Sequence, residues 1–130
     1  HRVIEDFMIQ TGGMKKDGTM KTATHGPIKN EAKTSGLKNE AYTLAMARTN
    51  APDSATNQFF INHKANTFLD PSGSSAGYAV FGKVVQGTDV VDAIAGVPVE
   101  AYRAGLKCQQ DSQPSCPVTD VDLFSVKRLA

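Results

Sequence analysis

Asn57-Gln58-Phe59-Phe60-Ile61-Asn62 sets polar against apolar residues with the texture of a half-buried strand. Alternate side chains of a strand point to opposite faces. Gln58, Phe60 and Asn62 therefore share one face, and Asn57, Phe59 and Ile61 share the other. Phe59 and Ile61 suit a core. The opposite face carries an aromatic ring between two amides, which suits display to a peptide or an ordinary strand with aromatics on both faces.

The flanking sequence reads as short strands and irregular loops. Residues 1–11 form a strand pair around a bend: Val3-Ile4 is apolar, Glu5-Asp6 breaks the run, and Phe7-Met8-Ile9-Gln10 resumes it before Gly12-Gly13 ends it. Residues 12–41 are rich in Gly, Lys, Thr and Asn and read as long surface loops with a short segment near Pro27-Ile28. Residues 43–48 read as a buried strand of small side chains, and residues 50–54 as a turn. Residues 63–77 are a loop with a short turn near Thr67-Phe68-Leu69, followed by a strand over 78–85. Thr88 is the expected N-cap of a helix that buries Val90, Val91 and Ile94 and stops at Gly96. An irregular stretch, 97–117, carries both cysteines, and a last strand is expected over 118–129. The pattern is mainly β, a barrel or sandwich with one packed helix.

At 130 residues and 40% hydrophobic content, the chain fits one domain with a real core. A net charge of +1, with acids and bases well mixed, points to neither a nucleic-acid surface nor a membrane surface. No apolar run reaches the length of a membrane span. The sequence holds no Gly-rich phosphate loop, no HExxH, no nucleophile elbow and no paired-Cys zinc spacing. His1, His25 and His63 are scattered, and Glu5, Asp6 and Asp53 stand at turns. Neither metal-assisted nor covalent catalysis is expected, and no cofactor is called for. What remains is Arg2, Phe7, Met8, Gln10, Gln58 and Phe60 on neighbouring strands. If they face one side, they make an apolar pocket rimmed by fixed donors, suited to an apolar group beside a peptide carbonyl. Singly, Arg2 reads equally as a solvated edge residue and Met8 as a core filler.

His1-Arg2-Val3-Ile4, then Phe7-Met8-Ile9-Gln10 and a Gly pair, resembles the first signature block of the cyclophilin peptidyl-prolyl isomerases. Asn57-Gln58-Phe59-Phe60-Ile61 resembles the second, and Phe68-Leu69-Asp70 and Val80-Phe81-Gly82-Lys83-Val84 the later ones. The resemblance runs from residue 1 to about 96, and the wording of residues 45–50 is similar to the bacterial branch. It implies a closed antiparallel eight-stranded barrel capped by helices, with residues 1–130 as one cyclophilin-like domain. The family's first two strands and first helix precede the His1-Arg2 block, so the domain is expected to be N-terminally incomplete and not stable alone.

The resemblance implies rotation about X–Pro bonds, with Arg2 the catalytic arginine and Gln10 and Phe60 beside it. Phe7, Met8, Phe60 and Leu69 become walls of a proline pocket, and Ala47, Arg48 and Gln58 line the groove for residues preceding the proline. Phe68 and Tyr78 stand where Trp and His are frequent, and Phe68 lacks the indole donor, which implies weak binding of cyclosporin A with activity kept. The implied partners are X–Pro peptides and unfolded proteins, with a monomer once the N-terminal segment is supplied. A non-catalytic module that holds proline segments is the alternative. Beside the resemblance, Cys108 and Cys116 flank a polar, Pro-containing loop. Paired, they would contribute about 2.5 kcal/mol by loop closure and favour an oxidising compartment such as a periplasm; reduced, they would fit the cytoplasm.

Overall fold

The computed structural model describes residues 1–103, 106–110 and 113–129. Its centre is a five-stranded antiparallel sheet. Strand β1 (Arg2–Ile4) turns back into β2 (Met8–Thr11) through a bend closed by Phe7 N donating to Ile4 O at 3.1 Å. Asp6 takes the left-handed conformation in that bend (φ 59°), which Asp tolerates better than most residues. A four-residue helix, α1 (Ala32–Ser35), interrupts the long loop. Strands β3 (Thr43–Met46), β4 (Phe59–Asn62) and β5 (Val80–Lys83) complete the sheet in the order β1-β2-β4-β3-β5. Helix α2 (Thr88–Ala95) packs beneath it, and Thr67–Leu69 form one 3₁₀ turn.

Register gives the sheet two chemically distinct faces. One row across it pairs Arg2 with Gln10, Gln10 with Phe60, Phe60 with Ala45 and Ala45 with Val80. This face buries Met8, Ala45, Phe60, Leu69 and Val80, with Ile4, Phe7, Ala47 and Tyr78 packed around them. The next row, Val3, Ile9, Ile61 and Leu44, faces the other way. There Val3 and Ile9 bury against Val91 and Ala95 of α2, with Ile61, Tyr42 and Ile94 half-buried around them. Strand β4 thus feeds both clusters, Phe60 above and Ile61 below. Phe60 is only 4% exposed, so the face that reads as display is also the tighter core.

Beyond α2 the chain forms short antiparallel pairs: β6 (Val99–Glu100), β7 (Tyr102–Arg103), β8 (Leu106–Lys107), β9 (Gln109–Gln110), β10 (Gln113–Pro114) and β11 (Cys116–Pro117). Strand β11 pairs with β6, β10 with β9, and β7 with β8. Within the stretch expected to be irregular, residues 104, 105, 111 and 112 lie outside the described residues. Cys108 and Cys116 are joined in a disulfide, with 5.2 Å between their Cα atoms.

Among the described residues the sheet stays open, five strands with β1 and β5 at its edges. Two expectations need correction. Residues 118–129 make no strand, and Phe124 and Leu129 are more than 90% exposed. Their apolar alternation is strand-like, but a strand needs a ladder partner, and the edge of β1 is already met by Val3 N donating to Ser115 O at 2.7 Å. Helix α2 is capped by Gly87 in the left-handed conformation (φ 87°), not by Thr88, and of the expected apolar face Val91 is buried while Val90 is exposed.

Candidate functional site

A chain of side-chain hydrogen bonds crosses the sheet. Arg2 Nη1 donates to Gln10 Oε1 at 3.0 Å, and Gln10 Nε2 donates to Gln58 Oε1 at 2.8 Å. Gln10 therefore uses both ends of its amide, which fixes its orientation and holds the guanidinium in place. Phe60, in register with Gln10, lies where this polar arc meets the apolar cluster. The arc can present a cation and oriented amides to a carbonyl-bearing group resting on apolar walls.

Those walls come from three segments. The bend between β1 and β2 supplies Phe7, whose ring stacks on Phe68 at 5.6 Å. Phe68 itself is 70% exposed and forms the outer rim, while Leu69 beside it is buried. Tyr78 meets Phe60 edge-on at 5.9 Å, and the Arg48 guanidinium carbon lies 4.4 Å from the centre of the Tyr78 ring. Arg48 Nε and Nη2 both donate to Gly77 O, at 3.1 and 2.9 Å, and Asn30 Nδ2 donates to the same carbonyl at 3.0 Å. Three donors on one carbonyl fasten the segment before Tyr78 to the end of β3. Gly77 has φ 74°, and a Cβ there would collide with the backbone of Pro71, so Gly is required.

Residues 1–121 match the family described as cyclophilin type peptidyl-prolyl cis-trans isomerase/CLD. The chain belongs to that family. It is 61% identical over 102 residues to a peptidyl-prolyl cis-trans isomerase of Acinetobacter baylyi, covering 78% of this chain and 53% of that protein. It is 60% identical over 100 residues to peptidyl-prolyl cis-trans isomerase B of Escherichia coli K12, covering 75% and 60%. A crystal structure of a Cryptosporidium parvum cyclophilin type isomerase shares the fold, with TM-score 0.58 and 24% identity over 77% of this chain and 60% of that one. The chain thus spans somewhat more than half the length of the cyclophilin-type relatives it matches.

All eleven expected site residues of this cyclophilin-type chain fall on or around one face. Arg2, Gln10 and Gln58 form the polar arc, and Met8, Phe60 and Leu69 the buried wall with Phe7, Ala47 and Tyr78 against it. Phe68 joins through Phe7, and Arg48 through Tyr78 and Gly77. Ala47 and Gln58 lie just outside β3 and β4 yet continue their ladder, Ala47 N donating to Gln58 O at 3.0 Å.

Sequence reading missed the amides beside this apolar cluster. Asn62 Nδ2 donates to Asn39 Oδ1 at 3.1 Å and to Thr43 Oγ1 at 2.9 Å. Asn66 Nδ2 donates to Asn62 Oδ1 at 2.7 Å and to Phe7 O at 2.8 Å. Asn39 Nδ2 reaches Tyr78 O at 3.2 Å, so one network ties together the segments carrying Phe7, Leu69 and Tyr78. The available signal was Asn62 itself, an amide sharing the face of Phe60: a buried amide needs partners. On the opposite face, Asp6 N donates to His63 Nδ1 at 3.0 Å, which places the ring proton on Nε2, 3.3 Å from Asp92 Oδ1. The Tyr42 hydroxyl donates to the same carboxylate at 3.0 Å, and this hydrogen bond raises the phenol above its usual pKa.

Proposed function

We propose that this chain performs the reaction its family is named for, rotation about the X–Pro peptide bond in exposed or unfolded segments. The observation that carries the reading is the Arg2–Gln10–Gln58 arc in register with Phe60, within a chain that belongs to the family. An X–Pro bond resists rotation because the nitrogen lone pair is delocalised into the carbonyl, with a barrier of about 18–20 kcal/mol. At the twisted transition state that delocalisation is lost, and the pyramidal nitrogen accepts a hydrogen bond. A guanidinium held beside it stabilises the transition state more than the ground state. Arg suits the task because it stays charged and carries a rigid fork of donors. Met8, Phe7, Phe60 and Leu69 grip the ring while the carbonyl side turns. Shortening exchange from tens of seconds to milliseconds takes about 6 kcal/mol, within reach of one ionic hydrogen bond and orientation.

The finer readings follow from the same proposal. The open five-stranded sheet belongs to the eight-stranded barrel that the family resemblance implies, and the domain acts as a monomer. The Cys108–Cys116 disulfide supports work in an oxidising compartment, the periplasm for a bacterial protein. Phe68 in place of an indole donor supports weak cyclosporin A binding.

The test is cis–trans exchange of an Ala–Pro peptide, followed by NMR with the chain as it stands. Acceleration that falls by about two to three decades in Arg2→Ala, with the fold unchanged by circular dichroism, is the expected result. Peptide binding without acceleration in either protein would overturn the catalytic reading and leave a proline-binding module.

A further inference from the structure

Arg48 brings a guanidinium to the edge of the face that carries Phe60. Its guanidinium spends three N–H groups on carbonyls: Nε and Nη2 on Gly77 O, and Nη1 on Thr49 O at 2.8 Å. Carbonyls orient a cation without cancelling its charge, and two of the five N–H donors of an Arg remain for other acceptors. No acid among the described residues forms an ion pair with it. Lys29 and Glu31, of opposite sign, line the same small cleft as Arg48, and the nearby Asp53 carboxylate is engaged by Asn30 N at 2.8 Å. The flat cation lies against Tyr78, which itself touches Phe60, so the charge stands one aromatic ring away from the apolar wall.

We propose that Arg48 makes this groove select proline segments with a carboxylate side chain within two residues before the proline. The proposal rests on the reading of the site given above, in which Phe60 faces the ring and Ala47 and Arg48 flank the preceding residues. An extended chain advances about 3.3–3.6 Å per residue, so a Glu side chain one or two residues from the ring spans the distance set by Tyr78. The clamp on Gly77 O removes the main cost of using a long side chain, because the guanidinium is immobilised before any ligand arrives. A rim charge works through a modest, salt-screened attraction to acids and an equal repulsion of bases.

The experiment compares three peptides that differ only at the two residues before proline, both Glu, both Gln or both Lys. Exchange rates and affinities are read in the same NMR titrations, at low salt and at high salt. The expected result is a Glu-over-Lys preference of roughly three- to fivefold at low salt that shrinks at high salt. Arg48→Gln should bring the ratio to about one. Arg48→Lys keeps the charge while losing the fork, and should retain most of the preference even if the Gly77 clamp weakens. Equal treatment of Glu and Lys by the unaltered chain, with the Gln peptide still turned over, overturns the charge selection and leaves the isomerase reading intact. Absence of exchange on all three peptides overturns the isomerase reading, and the affinity ratio then decides the role of Arg48 by itself.

Discussion

Gly13 carries a hydrogen where any other residue would press a carbon into the Gln58 side chain, 2.6 Å from its Nε2. The collision is with the flexible end of a side chain rather than with backbone, so the fold can yield to it. What yields is the last member of the polar arc, since Gln58 Oε1 accepts from Gln10, and Gln10 in turn holds Arg2. Gly13→Ala should therefore cost little stability, under about 1 kcal/mol. It should slow X–Pro exchange by about tenfold, because a shift of roughly an ångström in a positioning group is felt in the rate. Thermal unfolding and exchange rates measured on the same preparation check this. A slowed rate with an unchanged melting temperature identifies Gly13 as the floor beneath Gln58, and an unchanged rate would mean that Gln58 does not position Arg2. The neighbouring Gly12 is different: at φ 91° a Cβ would meet the backbone of Asn57, so substitution there should strain the fold itself.

At the scale of elements, the proposed pocket is bordered by strands and loops, and the amide network ties the loops together. Asn66 is 3% exposed and bridges Asn62 on β4 to Phe7 on the β1–β2 bend. Asn66→Ala leaves Asn62 Oδ1 buried without that donor, which should lower stability by about 2 kcal/mol in denaturant unfolding. It should also weaken proline-peptide binding, since Phe7 and Leu69 lose their shared tether. Exposed Ser72→Ala, in the same loop, should stay within about 0.5 kcal/mol of the parent. The sheet was legible because period-two alternation is a local property: each strand shows which of its own residues share a face, as Gln58 does with Phe60, while the register that brings Arg2, Gln10 and Phe60 to one side is not local. The supports were not, because their partners are distant in sequence. Asn39 finds Asp70 31 residues on, and Arg48 finds Gly77 29 residues on. Residues 118–129 were misread for the same reason in reverse, since alternation marks a segment able to pair and says nothing of whether an edge is vacant.

Over the whole molecule, the two faces of the sheet differ in how they are closed. The upper face is covered by the segments carrying Phe7, Leu69 and Tyr78, and the lower by α2. The outer edge of β1, next to Arg2, is met instead by a segment that the disulfide holds. Ser115 O accepts from Val3 N at 2.7 Å, Ser115 N donates to Cys108 O at 2.8 Å, and Cys108 N donates to Ala101 O at 2.8 Å. Ser115 Oγ adds a second hydrogen bond to Cys108 O, and Ser115 is 4% exposed. The Cys108–Cys116 bridge closes this relay on itself, so reduction frees both ends of the segment that covers the edge beside the guanidinium. Loop closure over so short a span contributes about 2.5 kcal/mol, and for a chain of this size its loss lowers the melting temperature by about 8 °C. Reduction should therefore lower thermal stability by that order. Well below the transition it should also speed amide exchange at Val3, whose N–H depends on Ser115, more than at Ile9 in the sheet interior. Hydrogen exchange with and without reductant measures both sites at once. Loss of protection confined to Val3 and the 108–117 segment would establish the bridge as a brace for the Arg2 strand, and equal protection at Val3 in both states would show that β1 holds its edge unaided.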